Sequence, residues 1–174
     1  MMISSAAFMS HQPVIDGFQF ASAGATQRGT IPASAFSRLR DWLASDAGEV
    51  AYEVVGLLDE RGRPSLRVRL EGRLELRCQR CLESMTWTVR HEALLVLAAT
   101  QAEIDADPRD TGAPDRVLAD KAIALAELVE DELVLEVPYA PRHEGCTAAA
   151  RGEEEMERPF AGLRGLLGNR PPKH

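Results

Sequence analysis

The chain has 174 residues, 45% of them hydrophobic and 27% charged, and carries a net charge of −7. That length supports one domain with or without tails, and the composition excludes wholesale disorder. Aromatic residues make up only 5%, too few for a broad base-stacking platform, and no run approaches the ~18 consecutive apolar residues of a membrane span.

Met1 to Ser10 has no basic residue ahead of its short apolar stretch and reads as a poor secretory signal. Residues 11–31 are irregular, with small apolar clusters (Val14-Ile15, Phe18, Phe20) separated by Gly17, Gly24 and Gly29. Residues 1–25 are expected to form a weakly ordered N-terminal segment, 26–145 a single α+β domain, and 146–174 a polar, flexible tail. Pro32 then stands where a helix would begin, followed at helical spacing by Phe36, Leu39, Trp42 and Leu43, which predicts a helix ending near Ser45.

From Val50 the period becomes two. A strand through Val50, Tyr52 and Val54 ends at Asp59-Glu60-Arg61-Gly62, which reads as a hairpin connection. The next strand places Leu66, Val68, Leu70, Leu74, Leu76 and Cys78 on one face. Arg67, Arg69, Glu71, Arg73, Glu75 and Arg77 lie on the other, the pattern of an antiparallel strand with one wet face. Gly72 interrupts it and is expected to mark a bulge or bend. After a turn over Cys78–Ser84, alternation resumes through Met85, Trp87, Val89, His91, Ala93, Leu95 and Leu97. His91 falls on the apolar face, where a buried, hydrogen-bonded core histidine is expected.

Residues 98–121 read as an acidic, mobile connection in which only Val117-Leu118 suggest a short strand. Ala122–Glu136 predicts a helix whose acids, among them Glu127, Glu130, Asp131 and Glu132, form a solvated face, and Pro138 stops it. The fold expected from this order is α+β: an antiparallel, strongly curved sheet or partial barrel packed with two helices, with a flexible acidic loop and C-terminal tail.

Charge is unevenly distributed. Residues 61–90 hold eight arginines against three glutamates, whereas 91–140 hold twelve acids against three bases. Arg63, Arg67, Arg69, Arg73, Arg77, Arg80 and Arg90 could therefore present a basic surface to a polyanion, or pair with glutamates on a solvated sheet face.

Three cysteines in a chain with no export signal point to reduced thiols or metal ligands in the cytoplasm. Cys78 and Cys81 sit at the predicted hairpin turn, and His143 and Cys146 offer a second half-site. Together the four have the donor composition of a closed zinc site. The 61 residues between Cys81 and His143 exceed any standard finger spacing. Zinc, reduced structural cysteines and a redox pair all stay open, although a redox Cys-x-x-Cys normally opens a helix. No P-loop, dinucleotide fingerprint, nucleophile elbow or His-Glu-x-x-His helix is present.

Leu76-Arg77-Cys78-Gln79-Arg80-Cys81-Leu82, the helix segment Glu127-Leu128-Val129-Glu130-Asp131-Glu132-Leu133-Val134-Leu135, and Val137-Pro138-Tyr139-Ala140-Pro141-Arg142-His143-Glu144-Gly145-Cys146 closely resemble the YceD family. Its members are described as large ribosomal RNA subunit accumulation proteins. Arg158-Pro159-Phe160-Ala161-Gly162-Leu163 resembles that family's ending, so the resemblance runs from about residue 30 onward. It implies a non-enzymatic bacterial factor linked to synthesis, processing or accumulation of 23S rRNA and to large-subunit assembly. On that basis the seven arginines would contact rRNA phosphates, because a planar guanidinium binds phosphate oxygens in pairs. The acids Glu127, Glu130, Asp131 and Glu132 would instead dock a basic ribosomal protein or assembly factor. A thiol- or zinc-based regulator is the third reading.

Overall fold

A computed structural model describes residues 13–106 and 114–146. The expected C-terminal tail beyond Cys146, and the middle of the acidic connection, lie outside the described residues. Within residues 11–31, expected to be irregular, the described part forms a strand β1 (Val14–Ile15), a helix α1 (Gly17–Ser22) and most of a strand β2 (Thr26–Pro32). The Asp16 carboxylate caps α1 by accepting from the Gln19 amide at 2.9 Å.

Three long strands follow: β3 (Leu43–Leu58), β4 (Pro64–Arg77) and β5 (Ser84–Ala98). They are joined by hairpin connections where the turn residues predicted them. Alternation explains their length. Leu66, Val68, Leu70, Leu74 and Leu76 are all fully buried, while Arg69, Glu71, Arg73 and Arg77 on the opposite face are exposed. Each such leucine stabilises the fold by about 1.5–3 kcal/mol relative to leaving it in water. Helix α2 (Gln101–Asp105), β6 (Arg116–Leu118), β7 (Ile123–Ala124) and helix α3 (Leu125–Glu136) complete the described elements.

The main sheet has the order β2-β3-β4-β5-β6, and β1 pairs with β7 in a separate two-stranded ribbon. The α+β class therefore stands, with two corrections. Because β6 joins β5 in parallel, the sheet is mixed and not wholly antiparallel, and its linear order leaves it open and not closed into a barrel. Parallel strands cannot be joined by a tight hairpin turn, and the connection from β5 to β6 is accordingly longer and includes α2.

The helix expected from Pro32 to Ser45 is replaced by one 3-10 turn, Ala33–Ala35, and a looped segment. Its spacing signal came from burial, not helicity. Phe36, Leu39 and Leu43 are all buried, and a single turn in which the Leu39 carbonyl accepts from Trp42 and Leu43 brings the last two inward. Arg38 ties this loop to α3. Its backbone amide donates to the Glu130 carboxylate at 2.6 Å, and its guanidinium pairs with Asp131.

The bulge expected at Gly72 lies elsewhere. Register from Ser65 to Arg77 against β5 is continuous, and the shift falls in β3 between Leu43 and Gly48. Gly72 serves a close approach of strands: a Cβ there would stand 2.3 Å from the Glu49 carbonyl oxygen.

One core lies on the inner face of the sheet, closed by α1, the 33–43 loop and α3, with Leu125, Leu128, Val129 and Leu133 from the last. His91 is hydrogen-bonded, as its position implied, but half-buried where a buried core histidine was expected. Its Nε2 lies 2.9 Å from Oε2 of Glu132. That contact also corrects the solvated-face reading of α3, since Glu130 and Glu132 are buried and each engages a partner outside the helix.

Candidate metal centre and arginine face

The β4–β5 turn builds the first half-site. The Cys78 amide donates to the Glu83 carbonyl and the Leu82 amide to the Cys78 carbonyl, both at 2.9 Å. Leu82 takes φ +66°, a left-handed conformation that lets the chain turn straight after the second cysteine. The second half-site follows α3, where Pro138 releases the chain from the helix. The Gln79 amide donates to the Pro141 carbonyl at 2.8 Å, which lays residues 141–146 against the turn.

This brings the four predicted donors together. Cys78 Sγ, Cys81 Sγ, a ring nitrogen of His143 and Cys146 Sγ all lie within 4.8 Å of one another. Cys78 Sγ stands 3.8 Å from Cys146 Sγ, and Cys81 Sγ stands 3.5 Å from His143 Nδ1. Cys78 is buried and the other three are half-buried. No disulfide joins the described cysteines. The cluster can hold a metal ion.

The electrostatics divide the thiols. The backbone N–H of Cys81, with help from that of Arg80, pulls the Cys78 thiol down to about 5. Desolvation and the neighbouring cysteines push Cys146 up to about 11. His143 is raised, chiefly by its hydrogen bond to the Ser84 carbonyl, which Nε2 makes at 3.0 Å. That carbonyl was invisible to sequence reasoning, because any residue at 84 supplies one.

The arginine face splits in two. Arg63 pairs with Asp59 at 2.8 Å, and Arg69 pairs with Glu92 at 3.0 Å and Glu53 at 3.6 Å. Arg67 reaches Glu92 at 3.7 Å, and Arg28, which the sequence pattern does not single out, joins through Glu53. In contrast, Arg73, Arg77, Arg80 and Arg90 are exposed, and none has an acidic oxygen within 4.0 Å among the described residues. The ion-pair reading of the arginines thus describes the root of the hairpin, and the open-surface reading describes its tip.

Of the acids proposed for a protein partner, Glu130 and Asp131 are engaged with Arg38, and Glu132 with His91. Glu127 is exposed, and its carbonyl accepts from Arg38.

A protein-family model described as Large ribosomal RNA subunit accumulation protein YceD matches residues 66–167, more than half of the chain. No curated protein and no solved structure matches it.

Proposed function

The chain belongs to the YceD family, and from that premise we propose that it is a non-enzymatic cytoplasmic factor supporting accumulation of large-subunit (23S) ribosomal RNA, and so assembly of that subunit, by binding the RNA directly. The observation that carries this reading is the set of exposed arginines, Arg73, Arg77, Arg80 and Arg90, without an intramolecular carboxylate partner among the described residues. Surface guanidiniums in that condition are available to phosphate oxygens, which accept both N–H groups of the fork.

Such contacts set affinity and register, while RNA shape supplies selectivity. Arg63, Arg67 and Arg69 contribute mainly by pairing with Asp59, Glu53 and Glu92, which holds the strands in place. The Cys78–Cys81 turn stiffens the hairpin that carries Arg77 and Arg80, with or without a metal ion. Docking of a basic ribosomal protein on α3 has less support, since four of the helix's five acids are already engaged within the chain. No helix among the described residues is long and apolar enough to cross a membrane.

The test is binding of the purified full chain to 23S rRNA fragments across a salt series, together with crosslinking in cells. Salt-sensitive binding and recovery of rRNA are expected. Recovery of ribosomal proteins without rRNA overturns direct contact.

A further inference from the structure

We infer that Cys78, Cys81, His143 and Cys146 form a closed structural zinc site that latches the segment following α3 onto the tip of the β4–β5 hairpin. The inference stands independently of RNA binding.

Geometry carries it first. In a tetrahedron with Zn–S of about 2.3 Å and Zn–N of about 2.0–2.1 Å, sulfur–sulfur edges are about 3.8 Å and sulfur–nitrogen edges about 3.5 Å. The Cys78–Cys146 and Cys81–His143 separations are 3.8 Å and 3.5 Å. Two of the six edges thus have tetrahedral lengths, and all four donor atoms, from two segments more than sixty residues apart, lie within 4.8 Å of one another, a convergence that hydrophobic packing has no reason to produce.

The surroundings agree. A histidine that ligates a metal commonly gives its other ring N–H to a carbonyl, which fixes tautomer and ring direction. His143 does this through Nε2 to Ser84 and leaves Nδ1 facing Cys81. The Arg80 amide donates to Cys78 Sγ at 3.4 Å, a contact that suits a thiolate. Three sulfurs and one imidazole are soft donors that exclude magnesium, calcium and manganese as the natural occupant. Four protein donors leave no open position for a substrate, so the site is a fastener and not a hydrolytic centre.

The fold also needs the fastener. From Val137 to Cys146 the chain has no helix or strand, and Pro141 is its one buried residue. Apolar contact alone is thin support for holding it against the turn. A metal joining Cys81 to His143 closes a loop that contains β5, α2, β6, β7 and α3. Loading displaces the protons of whichever cysteines enter as thiols and changes no oxidation state.

The experiment is metal analysis of the tag-free full chain purified under reducing conditions without chelator. About one zinc per chain is expected, with all three thiols protected from alkylation until a chelator is added. Cobalt(II) in place of zinc should give the intense visible bands of a tetrahedral thiolate site. Cys81→Ser and Cys146→Ser should each weaken zinc binding at least tenfold, whereas Glu144→Gln, beside the site but no donor, should retain it. Folded, reduced wild-type protein that takes up no zinc overturns the inference without recourse to a variant. So does an iron–sulfur chromophore, or ready formation of a Cys78–Cys81 disulfide in the presence of zinc. Loss of zinc binding with rRNA binding intact, or the reverse, separates this site from the arginine face.

Discussion

The imidazole of His91, on the inner face of β5, lies with Nε2 2.9 Å from Oε2 of the buried Glu132 on α3. The same ring turns Nδ1 toward Glu136 at 3.3 Å. This polar bridge sits at the margin of an apolar contact and fixes how far along the sheet α3 can slide. His91→Ala strips a buried carboxylate of its partner and should cost about 1–3 kcal/mol. The His91→Ala/Glu132→Ala double variant should lose less than the two single losses added together, because removing both partners leaves nothing unsatisfied. Urea denaturation of the four proteins in the cycle measures this, and strict additivity would show that the pair does not interact.

Gly72 offers a test of strand packing. An added methyl would meet the Glu49 carbonyl at 2.3 Å and Val50 Cα at 2.8 Å, both backbone atoms that cannot swing aside. Gly72→Ala should therefore destabilise by about 1–3 kcal/mol, the range for forcing extra volume into packed structure. Glu71→Ala, one residue away and exposed, should stay within about 0.5 kcal/mol. Thermal unfolding of the two variants distinguishes a backbone clash from general sensitivity of the strand.

The β3–β4 connection depends on pH through Asp59. Its carboxylate accepts from the backbone amides of Arg63 and Arg61 at 2.7 Å and 2.9 Å and from the Arg63 side chain at 2.8 Å. The Arg63 amide is the main reason it titrates below the usual carboxylate range. A depressed value in the folded state means that the stabilisation is present above the unfolded value of about 3.9 and lost as pH falls through the lower folded one. Asp59→Asn should lower the denaturation midpoint at pH 7, and its deficit against wild type should shrink by pH 3. A deficit that is the same at both pH values would contradict this account.

The divided arginine face predicts unequal consequences for RNA affinity. Charge reversal at Arg73, Arg77 and Arg90 should weaken rRNA binding more than tenfold. It should also flatten the dependence of log K on log salt by about 0.7–0.9 for each phosphate left without its arginine. Reversal at Arg67 and Arg69 should mainly reduce stability, because Glu92 then loses both of its arginines and Glu53 keeps only Arg28. Equal effects of the two sets on affinity, in proteins that remain folded, would refute the division.

Sequence periodicity located β3, β4, β5 and α3 because each has one face in the core and one in water, and the period of the burial is the period of the element. Phe36, Leu39 and Leu43 misled for the same reason. Three buried residues at helical spacing look alike whether a helix or a single turn brings them inward, and the Arg38 contacts that decide between the two span more than ninety positions. Glu130 and Glu132 looked solvated because nothing local shows that Arg38 and His91 await them. The four metal donors were legible as residue types. Their convergence was not, since it depends on the Gln79–Pro141 hydrogen bond between segments far apart in the chain.

The continuous pairing of β4 with β5 makes this hairpin a ruler. Arg73 and Arg77 ride on one rigid strand four residues apart, which fixes their Cα atoms about 13 Å from each other at the usual rise of an extended chain. On a supple loop the same two arginines would adapt to whatever they met. Here the spacing belongs to the protein, and a strand of RNA that engages both must bring phosphates that match the gauge.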